Sequence, residues 1–159
     1  MTEQTAEAVR GKYFEEFQVG DQARTVARTM TETDIIQFAA LSSDWNPLHT
    51  DAEFAAQTPF GARIAHGLLG LSIASGLVAR LGIIDGTALA FRGIEEWKFS
   101  KPILIGDTIH VETRVTETKA LPRLGGGQVT LDVAVVNQKG DVCQRGVWGV
   151  LVRSRPSSA

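Results

Sequence analysis

The stretch that decides the fold is Gly67-Leu68-Leu69-Gly70-Leu71-Ser72-Ile73-Ala74-Ser75-Gly76-Leu77-Val78-Ala79-Arg80-Leu81. Gly, Ala and Ser set among Leu, Ile and Val describe a helix that something else wraps closely, because small side chains let a second backbone approach. At about 1.5 Å per residue this core helix is roughly 22 Å long, enough to cross several strands lying about 4.8 Å apart. The strands follow directly. After Gly82 and Asp85-Gly86 the apolar period drops to two, and residues 88–99 read as a mixed strand carrying Trp97. Residues 108–119 alternate, with Ile109, Val111, Thr113 and Val115 on a buried face and His110, Glu112, Arg114 and Thr116 on a solvated one. Residues 128–136 repeat the pattern, Asn137-Gln138-Lys139-Gly140 turns the chain, and 142–152 form the last strand. Gly125-Gly126-Gly127 reads as a mobile hairpin loop. An antiparallel sheet wrapped round one long central helix is the hot-dog arrangement, a single α+β domain.

The bulk properties agree with one domain. The chain has 159 residues, 43% hydrophobic and 21% charged, and its net charge of −2 offers no electrostatic basis for binding nucleic acid or an anionic membrane. Residues 1–11 read as a flexible N-terminus, 12–153 as the domain and 154–159 as a flexible tail. The single cysteine, Cys143, forms no internal disulfide and reads as a small hydrophobe. Residues 1–7 are acidic where a signal peptide needs a basic start and an apolar run, so the expected location is cytoplasmic. The apolar segment 67–84 approaches the length of a bilayer span, about 20 residues, but Arg80 and the internal Gly and Ser argue against one.

Upstream of the core helix the chain builds a site. Val19-Gly20-Asp21-Gln22 reads as a turn and residues 24–30 as one short strand. Thr31 caps a helix with acids in its first turn and Ile35, Ile36, Phe38, Ala39 and Leu41 on its apolar face. It runs out near Ser42-Ser43 and delivers Asp44 into irregular backbone, where catalytic residues concentrate. Ser43-Asp44-Trp45-Asn46-Pro47-Leu48-His49 then sets an acid and an imidazole five positions apart across a turn shaped by Asn46 and Pro47. Thr50-Asp51-Ala52-Glu53 matches a capping box and starts a helix over 51–57, which holds His49 between the proline turn and the helix start. His66-Gly67 opens the core helix, where free N–H groups and the positive dipole end make an oxyanion site that glycine leaves accessible.

From the residues alone several readings stay open. Asp44 as a turn cap and His49 satisfied by a backbone carbonyl form one alternative. A metal site of Asp44, His49, Asp51 and His66 is a second, though it lacks both zinc spacing and a calcium loop. His66 reads as ordering the helix start, Ser75 as able to bond a carbonyl one turn back, and His110 as solvated.

Asp44-Trp45-Asn46-Pro47-Leu48-His49, followed by His66-Gly67 and Ser75, resembles the MaoC-like dehydratases and (R)-specific enoyl-CoA hydratases over about residues 14–152. The resemblance implies a homodimer, or a multiple of it, that adds water reversibly across the double bond of a trans-2-enoyl thioester to give an (R)-3-hydroxyacyl product. It implies that Asp44 and His49 are the catalytic pair, that the Gly67 N–H is the oxyanion donor, that Ser75 braces Asp44, and that Asn46 and His66 support the site. One position departs, Ser43, where many members have glycine. Neither a metal nor an organic cofactor is implied; a CoA or acyl-carrier-protein thioester is the substrate. Arg63, Arg92, Lys98 and Lys101 are candidates for CoA phosphates by neighbourhood, and Trp45, Phe54, Phe60 and Leu68 for the acyl pocket. Rival readings are a dehydratase of branched or dicarboxylic 3-hydroxyacyl-CoA, a thioesterase, which has no need of this motif, and a subunit that binds acyl thioester without turnover.

Overall fold

A computed structural model describes residues 11–156 of the chain. Its centre is helix α4, Gly67–Ala79, which buries Leu69, Gly70, Ile73, Ala74, Leu77 and Val78 along one side. The four long strands are β3 (Ala88–Phe99), β4 (Thr108–Leu121), β5 (Gly126–Val136) and β6 (Val142–Arg153). With the short strand β1 (Gln22–Arg24) they form an antiparallel sheet in the order β1-β4-β5-β6-β3, and β2 (Arg28–Thr29) pairs with β4 beyond β1. β4, β5 and β6 are a meander, whereas β3 crosses over to the far edge and pairs with β6. Ile109, Val111, Val115, Val129, Leu131, Val133, Val135, Trp148, Val150 and Val152 form one core with α4. Each such side chain contributes about 1.5–3 kcal/mol by leaving water. The hot-dog arrangement expected from the sequence is the architecture observed.

Several local expectations change. The single strand over 24–30 is two, because after Arg24 the chain leaves its ladder: Thr25 donates to the Val111 carbonyl, its Oγ1 accepts from the Val111 N–H, and pairing resumes only at Arg28↔Ile109. His110 is buried at 7% exposure instead of solvated, with Nε2 3.3 Å from Glu112. On α1 (Glu32–Ser42) the apolar face is narrower than its sequence suggests: Ile35 and Ala39 are fully buried, while Leu41 is 84% exposed. Gly11, placed by the sequence in the fraying terminus, is buried and donates to the Asp85 carbonyl at 2.8 Å. The tail residues Ser154 and Arg155 are likewise tied, to Gly125 and Glu15.

The glycine triplet is not a mobile loop. Gly125 makes the turn at φ 72°, but Gly126 and Gly127 are buried strand residues. A Cβ on Gly126 would lie 1.9 Å from the Val152 carbonyl oxygen, and one on Gly127 would lie 2.3 Å from the Phe14 ring. Glycine is needed there for close approach.

The cap of α1 forms as expected: the Thr31 hydroxyl accepts from the Asp34 N–H, and Asp34 accepts from the Thr31 N–H at 2.8 Å. Burial works to raise the Asp34 carboxyl, but hydrogen bonds from Thr31 and the adjacent Arg28 guanidinium outweigh it and hold the group below its ordinary value. Its contribution to stability is therefore present at neutral pH and lost as acid titrates the carboxylate through that lowered value.

Candidate active site

The site lies where three segments meet: the end of α1, the short helical turn α2 (Pro47–Thr50) and the start of α4. Ser43 ends α1 in the left-handed region, at φ 63° and ψ 17°, and so turns Asp44 back towards α4. Glycine adopts this conformation without the Cβ penalty of about 1–2 kcal/mol, which gives a physical reason for glycine at this position in the resembling family. Ser43→Gly should stabilise the protein by about 1 kcal/mol, read as a rise of roughly 2–4 °C in Tm.

The turn expected at Asn46 and Pro47 is the start of a short helix. Asn46 is the N-cap of α2, its side chain accepting from the Leu48 N–H at 2.9 Å, and Pro47 occupies the first turn, where a missing N–H costs nothing. The Asp44 carboxylate accepts from the Asn46 N–H at 3.3 Å. The next helix, α3 (Ala52–Ala56), is capped by Asp51, which accepts from the Phe54 N–H, and not by Thr50, whose hydroxyl bonds back to the Trp45 and Asn46 carbonyls.

His49, half-buried on α2, has Nδ1 2.8 Å from the Ile64 carbonyl oxygen. A carbonyl only accepts, so Nδ1 carries the proton and Nε2 is left with a free lone pair in the neutral ring. His66 has 2% exposure, and its Nε2 donates to the Asp44 carbonyl at 2.9 Å. The two imidazoles stack at 3.8 Å with planes 29° apart, and Phe38 tilts against His66 at 5.0 Å. His66 is the N-cap position of α4 but makes no side-chain cap bond, so it orders the site by tying the Asp44 loop to the core helix. Its Nδ1 is buried without a partner among the described residues.

A ligand atom from each of Asp44, His49 and His66 lies within 4.8 Å of the other two. Two of the ring nitrogens are already engaged, His49 Nδ1 with the Ile64 carbonyl and His66 Nε2 with the Asp44 carbonyl. Asp51 is committed to capping α3. The separation is one that a single water spans with two hydrogen bonds.

Beside the pair is a cavity of about 380 Å³ lined by His49, Phe60, Gly67, Leu68, Phe99, Lys101 and Gln144, among others. The Phe99 ring packs on the Gly67 Cα so closely that a Cβ there would lie 2.7 Å from it. Of the expected acyl-pocket residues Phe60 and Leu68 line this cavity; Trp45 and Phe54 do not, though both are exposed. Of the basic candidates Lys101 lines it, paired with Asp141 at 2.5 Å, and Arg63 is held by Glu32 at 2.8 Å outside it. A larger groove of about 500 Å³ crosses the other side of the sheet, among Arg24, Glu112, Arg114, Asp132 and Arg145, and contains none of the site residues.

Ser75 is not brought to Asp44. Eight residues past Gly67 it stands about 12 Å along the helix. It lines a separate apolar cavity of about 100 Å³ with Phe17, Val78, Ile84, Phe91 and Trp148. Cys143 is fully buried, and burial pushes its thiol up, so it is no nucleophile. The residue that sequence reasoning missed is Gln144: it lies within an alternating strand, and nothing local marks it as facing the site.

Known proteins resemble the chain in sequence and in architecture. The chain is 44% identical over 100 residues to protein MaoC of Klebsiella aerogenes, a match covering 63% of this chain but only 29% of that protein. It is 38% identical over 108 residues to the (R)-specific enoyl-CoA hydratase of Rhodospirillum rubrum, covering 65% of this chain and 69% of the other. A solved structure of a monoamine oxidase regulatory protein from Archaeoglobus superposes with a TM-score of 0.87 at 40% identity, over 94% of this chain and 99% of that one. Fold, site and relatives together define a hydro-lyase of hot-dog architecture. The MaoC like domain family matches residues 16–137, and the chain belongs to that family.

Proposed function

We propose that the protein hydrates trans-2-enoyl-CoA with (R) stereochemistry, or in reverse dehydrates 3-hydroxyacyl-CoA, using Asp44 and His49 to activate water. The observation that carries this reading is the His49 tautomer: with Nδ1 fixed on the Ile64 carbonyl, Nε2 is the free nitrogen, beside a carboxylate and next to the cavity that Gly67 lines. In hydration one member of the pair takes a proton from water as the oxygen bonds to the β-carbon. The double-bond electrons move to the thioester oxygen as an enolate, and the α-carbon then gains a proton. The N–H groups at the start of α4 face that developing charge. The scheme needs no metal or organic cofactor, and an acyl-carrier-protein thioester would serve the same chemistry. A cytoplasmic address belongs to the same proposal; no described helix is long and apolar enough to cross a membrane.

A homodimer completes the reading. Every residue of the edge strand β3 except Trp97 is exposed, including Phe91 at 52% and Phe99 at 55%, and Leu68 on α4 is 60% exposed. An edge of that length bearing apolar side chains is a surface for a second copy. Sedimentation should return twice the 17.2 kDa chain mass; a monomer at micromolar concentration would end this part of the proposal.

The direct test is loss of enoyl-thioester ultraviolet absorbance with crotonyl-CoA and a longer trans-2-enoyl-CoA, followed by chiral analysis. Rapid loss giving the (R) product is expected. Thiol release instead would mark a thioesterase, and tight binding without absorbance change a non-catalytic subunit.

A further inference from the structure

We infer that Gln144 is a positioning residue of the oxyanion cradle, its side-chain amide holding and polarising the Gly67–Leu68 peptide whose N–H stands beside that of Gly67. The inference rests on the hydratase reading above. β6 carries Gln144 under the first turn of α4, where it is 3% exposed and lines the same cavity as His49 and Gly67. Its Nε2 donates to the Gly67 carbonyl at 3.1 Å.

That carbonyl and the Leu68 N–H are the two ends of one planar peptide unit. A hydrogen bond donated to the oxygen draws charge along the unit and leaves its N–H more positive. The preceding unit is held in the same way: the His66 carbonyl accepts from the Gly70 N–H at 3.2 Å, and its other end is the Gly67 N–H. Two successive peptides are thus fixed at their carbonyl ends, with their N–H groups directed forward from the helix start.

Two further observations support a role for the amide. Gly70 interrupts an otherwise well-packed helical face, and a Cβ there would lie 2.3 Å from Gln144 Nε2 and 3.0 Å from Ile103 Cδ1, so the glycine makes the space that the amide occupies. Gln144 Oε1 is buried with no partner among the described residues. A residue present only to fill volume would do so better as Met or Leu, without an orphaned acceptor.

Gln144→Met removes the donor at nearly constant shape, and Gly70→Ala displaces the amide without altering Gln144. Both are tested with crotonyl-CoA for kcat and KM, and with 4-(dimethylamino)cinnamoyl-CoA, whose absorption band moves red as its thioester carbonyl is polarised. Each variant should lower kcat about five- to tenfold, the worth of one neutral hydrogen bond, with KM changed less than about twofold and a smaller red shift. In a Gln144→Ala background Gly70→Ala should have no further effect. Unchanged kcat and red shift in either folded variant would overturn the role of Gln144, as would a loss confined to KM. A wild-type protein that hydrates no enoyl-CoA would overturn the hydratase reading, and this inference with it.

Discussion

Asp44→Asn should lower hydration of an enoyl-CoA by about a thousandfold or more while leaving Tm within a degree or two. Acid–base groups of this kind contribute roughly 10²–10⁴-fold, and a residue sharing the water with its partner stands at the upper end. The fold should not notice the change. Asp44 is exposed, and among the described residues its side chain accepts from the Asn46 N–H at 3.3 Å, a bond that an amide oxygen accepts equally. His49→Ala should abolish turnover to a similar extent but also cost about 1–2 kcal/mol, because the Ile64 carbonyl loses its donor and His66 its stacked neighbour. Steady-state kinetics alongside a thermal melt separate the two effects. A folded Asp44→Asn protein retaining a tenth of wild-type activity would remove the carboxylate from the mechanism.

The largest effect on stability belongs to a residue far from the chemistry. Gly126→Ala sets a methyl group 1.9 Å from the Val152 carbonyl oxygen, within the ladder that joins β5 to β6. Backbone cannot yield there as a flexible side chain would; either Gly126↔Arg153 pairing opens or the strands splay. A cost of about 3 kcal/mol is expected, at the upper end for overpacking, seen as a fall of roughly 6–12 °C in Tm. Gly125→Ala, at φ 72° with nothing within 4 Å of the added group, should cost less, about 1 kcal/mol. Equal destabilisation by the two would show that turn flexibility, and not close approach, explains the triplet.

These positions mark how far the sequence was legible. The Thr31 cap, the core helix and the alternation of β4, β5 and β6 each depend on neighbours a few residues away, and all were readable within about two residues. So was the meeting of Asp44, His49 and His66-Gly67, because turn and cap residues announce where a helix stops and starts. What failed depended on distant partners. Nothing near His110 shows that it will be buried, and nothing near Gly126, Gly127 or Gly70 names Val152, Phe14 or Gln144 as the atoms that exclude a side chain. For Ser75 the helical spacing decides: it stands about 12 Å beyond Gly67, away from Asp44 of the same chain.

The exposure of β3 also bears on the newly made chain. As a single chain the protein carries an unpaired edge of twelve residues with several large apolar groups open to solvent. Such an edge invites runaway strand addition and insoluble aggregates. The chain carries two safeguards along it: Arg92, Glu95, Glu96 and Lys98 interrupt the apolar residues, and three register shifts against β6, with Glu96 at φ 51°, keep the edge from lying flat. A strand protected in this way favours a partner already shaped to its irregular contour over an arbitrary flat sheet.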